Sequence, residues 1–312
     1  MLNNTKITNA ATCAVAALFM AHPAWALNNR SWVVSFGSDN NNCTAFFPCK
    51  TFQRAHDVTV DGGEVDVLDA GDYGGLLISK SITIDGGNMG YIQTSVAFVP
   101  AIIVDAPPTG KVILRNLSIG SQPPVAGNTS GIVWFTGQAL SIEGVSIYGV
   151  ETGITVGPPI TDFGAPRLLI KDVTIRNCSV TGIEIIGFAN NTGQHPTTTE
   201  ATMDHVTIEN TPTGVYVAEG KANIIHSVFS HASVGGVATQ TEINLDDSSV
   251  FYSARGVRAL GANAIVRIAG DNIHDNTVAL ETISGGQIVS FGNNRIQGNG
   301  SGESPTSTTA LK

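Results

Sequence analysis

Leu168-Leu169-Ile170-Lys171-Asp172-Val173-Thr174-Ile175, followed after a short turn by Gly182-Ile183-Glu184-Ile185, is one unit of a pattern that returns through most of the chain. Alternation within it puts Val173 and Ile175 on one face and Thr174 on the other. Val145 with Ile147, and Val206 with Ile208, repeat the arrangement. Leu117, Val145, Val173, Val206, Val228, Val250, Ile273 and Ile296 each head such a run, at spacings of 28, 28, 33, 22, 22, 23 and 23. A second column runs in step: Gly131, Gly153, Gly182, Gly214, Gly236 and Gly256, each followed by Ile or Val. A period in this range marks a solenoid, in which each repeat buries its apolar face only against its neighbours.

The residues just before the first column are Asn116, Gly144, Asp172, His205, Ser227, Ser249 and Asn272. Most of these types tolerate left-handed backbone or bond locally to it, as a tight corner between two strands requires. Arg295 breaks the rule, with Asn294 one position earlier. Three strands per coil and about 22 residues per turn predict an all-β, single-stranded, right-handed parallel β-helix of about ten coils. At ~4.8 Å per coil the rod is roughly 50 Å long. A leucine-rich horseshoe would show regular Leu positions, and a propeller would repeat at about 40 residues or more.

The ends read differently. Residues 1–26 carry Lys6 as their sole charge, then the apolar run Ala10 to Met20 and Ala24-Trp25-Ala26, the form of a signal peptide. This predicts export to the periplasm, the cell surface or the medium, with no transmembrane segment in the remainder. Residues 27–63 are expected to cap the solenoid. Thr51 can serve as N-cap of one short helix carrying Phe52, Ala55 and Val58. Cys43 and Cys49 are close together in a chain bound for an oxidising compartment, which predicts a disulfide between them. Cys178 reads as a small buried or turn residue. The helix occupies 64–298, and 299–312 is a Gly/Ser/Thr-rich tail expected to fray or lie across the open end.

Net charge is −9, from 16 basic and 25 acidic residues, and becomes −10 when Lys6 leaves with the signal segment. Acidity of this size argues against nucleic acid and anionic membrane surfaces as partners.

At this point the chain resembles a family. Its repeats are similar to those of the pectin-lyase-like superfold. Cys43-Thr44, Pro48-Cys49-Lys50-Thr51-Phe52, Asp61-Gly62-Gly63-Glu64-Val65, Lys80-Ser81-Ile82-Thr83-Ile84-Asp85-Gly86 and Gly292-Asn293-Asn294-Arg295-Ile296 resemble exported bacterial right-handed β-helix proteins of unassigned activity. The resemblance spans nearly all of 27–312 and implies the fold; one superfold hosts many activities. Of the polygalacturonase signatures only Asp246-Asp247 and Arg267-Ile268 have a partial likeness here. The pectate lyase and alginate epimerase runs are missing, so no mechanism carries over.

Candidate chemistry comes from three clusters and two insertions. Asp66, Asp69 and Asp72 surround a strand end and turn, where carboxylates can hold calcium or serve as acid and base in glycoside cleavage, if they do not simply form a solvated turn; otherwise no cofactor and no metal is expected. Asp246 and Asp247 are adjacent, so their side chains should diverge. His205 and His226 fall near one corner of successive coils, offset by one position, with Asp204 nearby, a metal or acid–base grouping if not simply turn-formers. The insertions, Gly157 to Pro166 and Gly187 to Thr199, both follow the Gly-Ile strand and should stack at one corner. A third, Gly120 to Thr129, belongs to another corner. The first two offer Asp162, Phe163, Arg167, Phe188, Asn190, Asn191, Gln194 and His195, rings beside amides and a charge, as a sugar face and its hydroxyls require. Asp162, Phe163, Arg167, Asn190, Asn191 and His195 are therefore the expected ligand-binding set. The expected function is binding or scaffolding of a polysaccharide or cell-surface glycan. A polysaccharide lyase or glycoside hydrolase with an unrecognised site, and a structural or adhesive surface module, are the alternatives. Oligomeric state is not legible.

Overall fold

The computed structural model describes residues 27–94, 96–121, 129–157, 166–186 and 199–310, with backbone alone for 235–240. Its strands pair in parallel, each with the strand one coil before and one coil after it. One coil contains Arg167–Lys171 in sheet A, Thr174–Arg176 in sheet B and Thr181–Ile185 in sheet C. Below it lie Ala139–Glu143, Ser146–Tyr148 and Thr152–Val156. The architecture is a single-stranded right-handed parallel β-helix, as the repeats predict.

Register turns the repeats into buried columns. Leu114, Ile142, Ile170, Met203, Ile224, Leu245 and Ile268 stack in sheet A. Ile119, Ile147, Ile175, Ile208, Phe229, Val250 and Ile273 stack in sheet B. Ile132, Ile154, Ile183, Val215, Val234 and Val257 stack in sheet C. All of them are buried. Truncating one such residue to Ala costs roughly 2–5 kcal/mol.

The structure corrects the sequence-derived column from its fifth member onward. Val228 opposes Thr207, not Val206, and Val250, Ile273 and Ile296 belong to the Ile208 column. The position after Val206 passes to Ser227, Ser248, Asp271 and Asn294. Each accepts a backbone N–H from the coil before: Val206 N to Ser227 Oγ (3.1 Å), Ser227 N to Ser248 Oγ (3.0 Å), Ser248 N to Asp271 Oδ1 (2.9 Å) and Asp271 N to Asn294 Oδ1 (2.8 Å). A buried polar ladder satisfied in this way replaces the apolar stack with hydrogen bonds from coil to coil. A second ladder lines the corner from sheet B to sheet C, through Ser253, Asn276 and Asn299. Gly236 likewise leaves the glycine column, opposing Val217 and Ala259, while Ser233 stands against Gly214.

From Asn116 to Gly270 the corner from A to B is one left-handed residue per coil: Asn116, Gly144, Asp172, His205, His226, Asp247 and Gly270, with φ between 47° and 70°. Thus Ser227, Ser249 and Asn272 are not the corner residues, and Asn294 is a regular ladder member. The segments 157–166 and 186–199 both join a sheet C strand to the next sheet A strand, and 120–129 joins B to C.

At the N-terminal end, Thr51 accepts a hydrogen bond from Arg54 N and caps a six-residue helix, Phe52–Asp57. Phe52 and Ala55 are buried, with Phe52 against Tyr73 at 5.1 Å between ring centroids. Cys43 and Cys49 form a disulfide with Cα atoms 4.7 Å apart. Cys178 is buried, which pushes its thiol up to about 12. At the other end Ser307–Thr308 pairs with Gln287–Ser290, and Ala279 and Leu280 donate to Ser301 and Gly302. Among the described residues no helix is long and apolar enough to cross a membrane.

Candidate functional site

Arg167 opens a sheet A strand on the outer face, between Ala139 and Glu200. With Lys111, Leu169, Glu200 and Thr202 it lines a shallow groove. Asp162, Phe163, Asn190, Asn191 and His195, with Phe188 and Gln194, lie outside the described residues.

The turn carboxylates are engaged separately. Asp66 pairs with Arg30. Asp69 accepts from Ser35 N, Ser35 Oγ and the Tyr73 hydroxyl; burial works to raise it, but these bonds win and hold its carboxyl below the usual range. Asp72 accepts from Gly74 N and Gln93 N. A different trio, Glu64, Asp66 and Asp85, brings its oxygens within 4.8 Å of one another. Arg115 spans it, donating to Glu64 (2.5 Å) and Asp85 (2.8 Å), so with Arg30 two guanidiniums offset two of the three charges. That network ties sheet A coils together. Asp246 faces outward on sheet A and Asp247 is a left-handed corner residue, so the pair does not share one site. Burial, with Asp247 next door, raises the Asp246 carboxyl.

An aromatic group that the sequence reading missed stands on sheet B. Phe251 and His274 oppose each other in register, with rings 5.2 Å apart and 6° from parallel. Tyr252 meets Phe251 edge-on at 5.3 Å and His274 at 6.5 Å, and His231 lies 5.5 Å from Tyr252. Asp275 holds the His274 ring through Nδ1 at 2.7 Å. Beside this platform runs a groove lined by Asn272, His274, Asp275, Arg295 and Gln297.

Tyr252 is the unusual member. The second corner column, from B to C, is Gly149, Asn177, Asn210, His231, Tyr252, Asp275 and Gly298, all at positive φ. Gly, Asn and Asp suit that backbone, whereas a tyrosine at φ 54° is strained by about 1–3 kcal/mol. Tyr252 as a whole is 53% exposed, so burial does not compensate. The one signal available in sequence was the run Val250-Phe251-Tyr252, read there as strand alone.

No protein-family model matches the chain, and no curated protein matches it. Among solved structures the chain is similar to pectate lyase Pel9A, with a TM-score of 0.58 at 11% identity, over 91% of this chain and 79% of that one. It also aligns with the GH136 lacto-N-biosidase from Eubacterium ramulus (TM-score 0.48, 12% identity, 91% and 67% covered). A third is the A-module of Azotobacter vinelandii mannuronan C-5 epimerase AlgE4 (0.43, 12%, 80% and 91%). The fold is pectin-lyase-like. At such identities the likeness shows fold, and function has to come from the site.

Proposed function

We propose that this is an exported β-helix protein that binds a polysaccharide or cell-surface glycan without cleaving it, with Phe251, Tyr252 and His274 as the stacking platform. The observation that carries the reading is the strained, exposed Tyr252 at a corner where every other residue is Gly, Asn, Asp or His. Retained strain marks a position held for something other than stability. Sugar rings present flat C–H faces to aromatics and hydroxyls to amides and guanidinium groups, and Asn272, Arg295 and Gln297 supply the latter beside the platform. Glycoside cleavage by the usual route needs two convergent carboxylates. Asp275 is the sole carboxylate lining this groove among the described residues, and it already holds His274. The export signal in 1–26 and the disulfide agree with an extracytoplasmic partner. The nature of the fold neighbours makes a carbohydrate the first ligand class to test.

The second reading, a lyase or hydrolase, is supported by Arg167 beside Glu200 in a groove, lined further along by Lys111, that adjoins the ends of the two insertions. One experiment separates them. The protein is titrated with a panel of polyuronides and neutral polysaccharides by affinity electrophoresis, with chain length followed in parallel. Phe251→Ala and Tyr252→Asn should each weaken retardation by roughly tenfold or more, with chains intact and Arg167→Ala neutral. Shortened chains, or loss through Arg167→Ala alone, would overturn the proposal in favour of the sheet A groove.

A further inference from the structure

The corner from sheet A to sheet B carries a grouping independent of the aromatic platform. His205 and His226 occupy the same position in successive coils, both left-handed, at φ 56° and 50°. They are not offset by one, because the corner precedes Val206 and Ser227 alike. Coil stacking therefore sets one imidazole over the next, with ring centroids 5.0 Å apart. Asp204, the last residue of its sheet A strand, places Oδ1 between them, 2.7 Å from His205 Nδ1 and 3.0 Å from His226 Nδ1. All three donor atoms lie within 4.8 Å of one another.

From this geometry we infer that Asp204, His205 and His226 form a binding site for a divalent transition-metal ion of the zinc class. Two imidazoles and a carboxylate are the donor set that such borderline ions take, leaving a fourth position to water. Bonds of about 2.0–2.1 Å to a tetrahedral ion put neighbouring ligand atoms about 3.3 Å apart. The 2.7 and 3.0 Å separations reach that value with outward movements of a few tenths of an ångström. Without an ion, both imidazoles must direct a proton at the same carboxylate oxygen; with one, both present lone pairs and their Nε2–H groups face solvent. The backbone preorganises the site, since neither histidine can move from its corner without breaking the coil-to-coil hydrogen bonds His205 N to Ile225 O and His226 N to Asp246 O. Asp172 and Asp247 occupy the same corner one coil before and one coil after, and Asp246 stands next to Ile225 in register. These carboxylates favour a cation, while Lys171, opposite Asp204, opposes one.

The test uses the purified, tag-free protein with Zn²⁺ alone in calorimetry, and Co²⁺ for the visible absorption of an imidazole-ligated ion. His205→Asn and His226→Asn keep the corner, because Asn116 holds the same left-handed position in an earlier coil. Wild type should bind one ion per chain at pH 7.5. Each Asn variant and Asp204→Asn should weaken binding by more than about tenfold, given that even outer-shell changes cost 10–100-fold. Unchanged unfolding midpoints without metal would confirm that the variants fold. Absence of zinc binding by wild type, or stoichiometric binding that survives the double Asn variant, refutes the site. Because Phe251 and Tyr252 lie on the other sheet B corner, glycan binding should persist in these variants, so the two proposals fail separately.

Discussion

Asp271→Asn should stabilise the protein at neutral pH and bring no gain in acid. Asp271 is 1% exposed and sits in the ladder between Ser248 and Asn294. Burial raises its carboxyl to about 8, against the opposing pull of N–H donors from Ser248 and Ala269, and with Asp246 and Asp247 adding to the rise. In the unfolded chain the group titrates near 3.8. Below that value it is protonated in both states and costs nothing. Above it the unfolded chain releases its proton while the folded protein retains it, so stability falls by about 1.4 kcal/mol per pH unit until the folded group ionises near 8. By pH 7 this amounts to roughly 4 kcal/mol.

Asparagine has no proton to lose. Its Oδ1 can accept from Ser248 N as the carboxylate oxygen does, whereas Nδ2 in place of Oδ2 gives up the bond from Ala269 N, a loss of about 1 kcal/mol at every pH. Its amide has a partner as well: Asn294 Nδ2 donates to Ile268 O, and Leu245 stands one coil below Ile268 in register. Thermal unfolding followed by circular dichroism from pH 4 to pH 8 reads the effect as a difference from wild type, which cancels every other titrating group. The variant should unfold roughly 5 °C higher at pH 7 and no higher than wild type at pH 4. A gap independent of pH, or a lower midpoint for the variant at pH 7, would refute the argument that Asp271 is held protonated.

Gly153→Ala should lower the unfolding midpoint by the equivalent of ~1–3 kcal/mol, because its Cβ would stand 2.5 Å from Gly182 O and 3.0 Å from an Ile175 methyl; an unchanged midpoint would show that the coils can part. Replacing Cys43 and Cys49 by Ser should cost roughly 2 kcal/mol, since the bridge closes a loop of sequence separation 6, and reductant should reproduce the shift in wild type. Tyr252→Asn should raise the midpoint by about 1 kcal/mol through relief of left-handed strain while weakening glycan retardation. Stability and binding falling together would instead make Tyr252 a packing residue.

The apolar columns were legible because strands of a β-helix repeat their inward residues coil after coil, and Val145, Val173 and Val206 do so without interruption. Legibility ended where chemistry replaced hydrophobicity. Ser227, Ser248, Asp271 and Asn294 are as much core as Val206, but their warrant is a hydrogen bond to the next coil, which a pattern of apolar residues does not display. Anchoring on the nearest valine instead shifted the frame by one residue at Val228 and by two from Val250 onward. The shift hid the stacking of His205 on His226, because it placed them one position apart. It also hid the run His231, Tyr252, Asp275, whose members share a corner only in the true register.

Function in this solenoid is therefore best sought by asking which corner residues are poor corner residues. A coil needs a left-handed residue at two places, and Gly, Asn and Asp meet the need with the least strain. Seven positions at the first corner and seven at the second are filled from those three types except at His205, His226, His231 and Tyr252. The exceptions are not scattered. His205 and His226 are consecutive at one corner and share a carboxylate; His231 and Tyr252 are consecutive at the other and join Phe251 and His274. Random drift would place bulky rings at unrelated corners and leave them without partners. Paired exceptions whose side chains converge on a common atom or a common face are what a ligand would select, and the two pairs point to two chemistries, an ion at the first corner and a sugar face at the second.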